Sequence, residues 1–66
     1  MSSDEVHQLA HRINNALSVI VSQAEMLALN LADDDPRREA LNDIATAGYG
    51  AATDLRALVP WLIGPR

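Results

Sequence analysis

Residues 6–31 read VHQLAHRINNALSVIVSQAEMLALNL. Within this stretch Val6, Ala10, Ile13, Leu17, Ile20, Ala24, Leu27 and Leu31 recur at alternating spacings of four and three. That is a heptad seam held over nearly four repeats, the period of a helix packed along another helix. Leu9, Ala16, Val19, Val21 and Met26 widen the apolar side, and Glu25 is the one charge between Asn15 and Asn30. A helix this apolar needs neighbours on more than one side.

The flanks of the stretch carry start and stop signals. Ser2 followed three residues later by Glu5 forms a capping box, and Asp4 and Glu5 face the positive end of the helix dipole. The first helix is therefore expected over about residues 3–31, with a loop at 32–35. Asp35 and Pro36 restart the chain as a helix. The aspartate caps the free N–H groups, and the proline stands where no N–H partner is needed. In the second helix Leu41, Ile44, Gly48, Ala51, Leu55, Leu58 and Leu62 continue the three–four spacing. Pro60 is expected to kink or end it, giving a helix over about 36–59 and a tail over 60–66. Gly48 and Gly50 flank Tyr49 and mark either a weak point or a close helix approach.

Chain size and composition narrow the class. Sixty-six residues make one domain at most, and a chain this short is marginal without a staple. It has no cysteine, so disulfides are excluded, and only Tyr49 and Trp61 are aromatic. The expected fold is all-α. It is an antiparallel two-helix hairpin that dimerises into a four-helix bundle, because two helices cannot cover two wide apolar faces. The net charge of −4 and the absence of any basic run argue against nucleic acid. Ser18, Ser22, Gln23, Glu25 and Asn30 make the most apolar stretch too polar to span a bilayer. The acidic N-terminus is unlike a secretion signal, and a cytoplasmic location is expected.

The residues able to carry chemistry cluster in the first helix. His7 and His11 stand at i and i+4, on one face and beside the seam. A surface histidine needs no function by itself. The segment His11-Arg12-Ile13-Asn14-Asn15-Ala16-Leu17-Ser18-Val19-Ile20 resembles the dimerisation and phosphoacceptor domain of the sensor histidine kinases of bacterial two-component signalling. The matching pattern is a histidine, an asparagine four residues later, and an apolar heptad run from Leu17. The segment Asp34-Asp35-Pro36-Arg37-Arg38-Glu39 followed by Leu41 and Ile44 is similar to the start of the second helix in many of these kinases. The stripe Ile44, Ala47, Ala51, Ala52, Leu55 and Leu58 matches as well. The likeness spans about residues 5–59. Most such kinases have an acid directly after the histidine. Here Arg12 stands there, as in the subset with a His-Arg-x-x-Asn motif.

The resemblance implies a homodimeric four-helix bundle. In it His11 accepts a phosphoryl group and passes it to an aspartate of a response-regulator receiver domain. Arg12 would pair with phosphate oxygens, and Asn15 would orient a water for dephosphorylation. No glycine-rich nucleotide loop is present, and all three glycines follow residue 47. ATP and Mg would thus be held by an ATP-binding kinase domain, in cis or in trans, and no cofactor is expected on this chain. Asp4, His7 and His11 could face one metal, but they fall short of a full ligand set, and no metal site is expected. The rival reading is a non-catalytic dimeric helical interaction module.

Overall fold

The computed structural model describes residues 2–64. They form two helices, α1 (Ser3–Leu29) and α2 (Pro36–Ile63), and no strand occurs among them. The start of α1 is the expected capping box. The Glu5 N–H donates to Ser2 Oγ at 3.1 Å, and the Ser2 N–H donates to the Glu5 carboxylate at 3.3 Å. The Asp35 carboxylate accepts the Arg37 N–H at 2.9 Å, and Pro36 opens α2.

Two boundaries differ from the sequence reading. The first helix stops at Leu29 rather than Leu31. Its last turn tightens, with Asn30 N–H reaching the Leu27 carbonyl at 3.2 Å and Leu31 N–H reaching the Ala28 carbonyl at 3.1 Å. The Asn30 amide also donates to the Met26 carbonyl at 3.2 Å and so satisfies an end carbonyl. The second helix passes through Pro60 to Ile63, four residues beyond the expected end at 59. Proline removes a single donor here, the one aimed at the Arg56 carbonyl, at an exposed position one turn from the end. Leu58, Val59 and Leu62 meanwhile line a groove with Val6, Leu9 and Ile13, and that contact holds the last turn against α1. Gly64, at φ 114°, ends the helix in a conformation that side-chain-bearing residues avoid. Of the expected tail, Pro65 and Arg66 lie outside the described residues.

The link between the helices is pinned by polar contacts. The Asp35 N–H donates to the Ala32 carbonyl at 3.0 Å. The Arg37 guanidinium forks onto both oxygens of Asp35, at 3.1 and 2.7 Å. Arg38 pairs with Asp33 and donates to the Leu31 carbonyl at 3.2 Å. The turn sends α2 back antiparallel along α1.

The helices meet through small side chains. Val6, Val21, Ala24, Ala28 and Ala45 are the buried apolar residues, joined by Gly48, with Leu41 packed against the centre. Among the described residues no large side chain is fully buried. Here the heptad reading is corrected at two steps. It puts Ile20 and Leu27 in the contact, but these are 48% and 54% exposed, whereas their neighbours Val21 and Ala28 are 6% and 3%. Ile13 is also half-exposed. The radius of gyration is 15.3 Å, against the ~11 Å that a compact chain of this length would have. A single layer of two helices has no enclosed core.

Gly48 and Gly50 now separate. A Cβ added at Gly48 would run into Cγ2 of Val21, a β-branched and buried side chain with little freedom to move. A Cβ at Gly50 would meet nothing within 4 Å. Gly48→Ala should therefore destabilise by about 1–3 kcal/mol through overpacking. Gly50→Ala should stabilise by up to about 1 kcal/mol through helix propensity. Paired denaturant melts test this, and equal shifts of one sign would refute the close approach.

The loop gives a second test. Hydrogen bonds from Arg37 hold the Asp35 carboxyl down to about 2, from an ordinary 3.8. The sign follows from linkage. A depressed carboxyl contributes stability above its unfolded value, and that contribution is lost as pH falls from about 3.8 through about 2. In a carbon-detected NMR titration Asp35 should titrate near pH 2. In Arg37→Ala its midpoint should rise toward 3.8. An unmoved midpoint would discard the pairing.

Candidate functional site

The site follows from where the hairpin leaves α1 uncovered. The 100° step of a helix sorts its residues into three strips. One, through Val6, Ala10, Leu17, Val21, Ala24 and Ala28, faces α2. A second, through Leu9, Ile13, Ile20 and Leu27, is aliphatic and partly exposed. The third carries His7, His11, Asn14, Ser18, Ser22 and Glu25, and it is exposed throughout. The aliphatic and polar strips lie on opposite sides of the hairpin. Leu9 and Ile13 line one groove with Leu55, Leu58 and Leu62, while Ser18, Ser22 and Glu25 line another with Gly48, Tyr49 and Ala52.

His11 thus stands on the polar, solvent-facing side of α1, away from the helix contact. Asn15 is one turn further on, and helical side chains lean toward the N-terminus, so its amide leans back toward His11. Asn14 flanks the histidine equally from i+3. Arg12 is different. One residue along is a 100° rotation, which turns its side chain away from His11 and toward the aliphatic side. His11, Arg12 and Asn15 are all exposed, and their side chains form no hydrogen bond or ion pair among the described residues. His11 and Asn15 therefore share one exposed face of α1, and Arg12 is turned to the side.

The other histidine has a partner. His7 Nδ1 lies 2.8 Å from the Ser3 carbonyl oxygen, which can only accept, so Nδ1 carries the proton. In the neutral ring this leaves the Nε2 lone pair free. Sequence reasoning missed this bond, because a side-chain bond to a backbone carbonyl one turn back has no residue-type signature.

It also missed a cross-helix link. The Tyr49 hydroxyl reaches both oxygens of the Glu25 carboxylate, at 3.1 Å each. Donating that hydrogen bond to Glu25 holds the proton on the phenol, and with the nearby negative charge it raises the Tyr49 pKa above its ordinary 10.0. The available signal was Glu25 as the lone charge in an apolar stretch, paired with an aromatic beside the glycine of closest approach. The link forms part of the wall of an open groove of about 250 Å³ that Leu17, Ser18, Ser22 and Ala52 also line.

Arginine charge is unevenly committed. Arg37 and Arg38 are held by Asp35 and Asp33 at the loop. Arg12 and Arg56, near the opposite end, form no ion pair among the described residues. Among those residues no three His, Asp or Glu side chains gather closely enough to hold a metal together, and no helix is long and apolar enough to cross a membrane. Compared with known proteins, the chain matches no family model, no curated protein and no solved structure.

Proposed function

We propose that this chain is a dimerisation and histidine phosphotransfer module of two-component signalling, with His11 as the phosphoryl acceptor. One observation carries the reading. His11 is exposed on the outer side of the first helix of a hairpin, with Asn15 one turn beyond and no competing partner on its ring. A neutral imidazole is a competent nucleophile near neutral pH. A ring nitrogen of His11 forms a P–N bond as the donor's P–O bond breaks, and the ring proton passes to water. An aspartate oxygen of a receiver domain then forms a P–O bond as that P–N bond breaks. Transfer of this kind depends mostly on positioning and charge stabilisation. ATP and Mg belong to a kinase domain elsewhere. Arg12 stands in sequence where most such kinases have an acid, and Asn15 orients a water for hydrolysis of the phosphohistidine. The setting is cytoplasmic.

A homodimeric four-helix bundle is part of the proposal. The support is a second heptad stripe on one side of the hairpin. Ile13, Ile20 and Leu27 on α1 and Ile44, Ala51 and Leu58 on α2 each recur every seven residues, and the five large ones are about half-exposed. A second copy covers this stripe and leaves the polar side, with His11, in solvent. The same stripe also favours the rival reading of a non-catalytic interaction module, which needs the stripe but not the histidine.

Two experiments test the proposal. With a competent histidine-kinase ATP domain or a phosphorylated receiver as donor, the wild type should take acid-labile label. His11→Gln should lose it with helicity unchanged, and His7→Gln should keep most of it. Asn15→Ala should accept normally and dephosphorylate more slowly. No label from any donor would favour the interaction module, and loss only in His7→Gln would move the acceptor by one turn. Separately, Ile20→Asp should abolish the dimer in sedimentation, because a buried unpaired carboxylate costs several kcal/mol. An unchanged sedimentation coefficient would refute the stripe as the dimer face.

A further inference from the structure

We propose that His7 and His11 form a two-imidazole site for a borderline divalent transition metal, namely Cu²⁺, Ni²⁺ or Zn²⁺. The site lies on the solvent-facing side of α1. Histidines four apart on a helix share a face about one turn apart, which is the spacing that lets two imidazoles meet one ion. Spacing alone carries little weight. The added observation is the 2.8 Å bond from His7 Nδ1–H to the Ser3 carbonyl. Metal-bound imidazoles nearly always donate their second nitrogen to a carbonyl or carboxylate, which fixes the tautomer and aims the ligating nitrogen. Here the second-nitrogen bond is already made, which leaves the His7 Nε2 lone pair as the ligating atom. The His11 side chain leans toward the N-terminus, over the turn that His7 occupies.

The surroundings suit a cation. Both rings are exposed, so coordination does not disturb the helix contact. Asp4 stands three residues before His7 on the same side, and with Glu5 it offsets the positive end of the helix dipole. Of the described residues, neither arginine without an ion pair shares this turn. Arg12 points around the helix, and Arg56 belongs to α2.

Two protein ligands leave the remaining coordination positions to water, so the ion is exchangeable rather than structural. Imidazole donors select the later first-row metals over Mg²⁺ and Ca²⁺, with Cu²⁺ held most tightly. Both rings must be neutral to bind, so affinity falls on acidification. The site rests on the exposed histidine face but not on phosphotransfer itself. If His11 is also the acceptor, metal and phosphoryl group compete for its ring lone pair.

The test is calorimetric titration of the untagged chain with NiCl₂ and ZnCl₂, with circular dichroism as a fold control. One ion should bind per chain. His7→Gln and His11→Gln should each weaken binding by about tenfold or more, and the double variant should abolish it. Ser2→Ala, which loosens the turn carrying the Ser3 carbonyl, should weaken binding while both imidazoles remain. Absence of binding would overturn the proposal. So would binding that survives in the double variant, since that locates the ion away from the imidazoles. These outcomes are read without phosphoryl label, so failure here leaves the phosphotransfer reading standing, and failure of that reading leaves this one standing. A further arm adds Zn²⁺ to a wild type that takes label. Label should then fall in step with metal occupancy, and label unchanged at saturating metal would exclude shared use of His11.

Discussion

Gly48 against Val21 sets the distance between the two helices, and most of the molecule follows from that distance. Where a glycine faces a valine and alanines fill the adjoining positions, helix axes approach closely and little side-chain volume fits between them. The contact is dense but small. Alanine and valine remove modest apolar area from water, at roughly 25 cal/mol per Å². The larger aliphatic residues are pushed to the flank, where Ile13, Ile20, Leu27, Ile44 and Leu58 stay half-exposed. The same geometry frees the other flank for polar groups, and the histidines, Asn14, Ser18 and Ser22 occupy it. Close approach within the hairpin and a need for association outside it therefore have one cause.

The two ends of the hairpin are organised differently. At the loop, Asp33 and Asp35 tie the turn to Arg37 and Arg38 with hydrogen bonds and two ion pairs. Exposed ion pairs contribute little to stability in water. Their role here is geometric. The Arg37 fork keeps Asp35 oriented as a cap, and Arg38 satisfies the Leu31 carbonyl as the first helix ends. At the other end the helices are held by Val6, Leu9, Leu58 and Leu62 instead, and the nearby arginines keep their charge uncommitted. An anionic group arriving there meets cations that no carboxylate has neutralised.

Much of this architecture was legible in the residues. Ser2 with Glu5, and Asp35 with Pro36, fix where each helix begins, because capping is local chemistry carried by residue type. The two heptad runs fix that the helices lie alongside each other. What pattern reading cannot do is choose between adjacent apolar residues. Ile20 and Val21 are both suitable, as are Leu27 and Ala28, and a straight helix drifts about 20° per heptad from a strict seven-residue repeat. The choice is made by the partner, since Gly48 accepts the valine and leaves the isoleucine outside. Pro60 was misjudged for a related reason. Local propensity argued for a stop, but the packing of the last turn outweighed one missing hydrogen bond. His11 and Asn15 were found by spacing. The His7 bond and the Tyr49–Glu25 link depend on side-chain direction, which no linear pattern records.

Trp61 adds a consequence of a different kind. It is the only tryptophan, it sits in the last turn of α2 beside Leu62, and it is 83% exposed. Its indole lies at the end of the hairpin where α1 begins, a few turns from the histidine face. An indole this exposed in the isolated hairpin is expected to emit as one in water. A protein domain seated over that end dries the ring and shifts its emission to shorter wavelength, whereas association along the middle of the aliphatic stripe leaves it wet. The chain thus carries an intrinsic optical reporter that distinguishes where along its length a partner has landed.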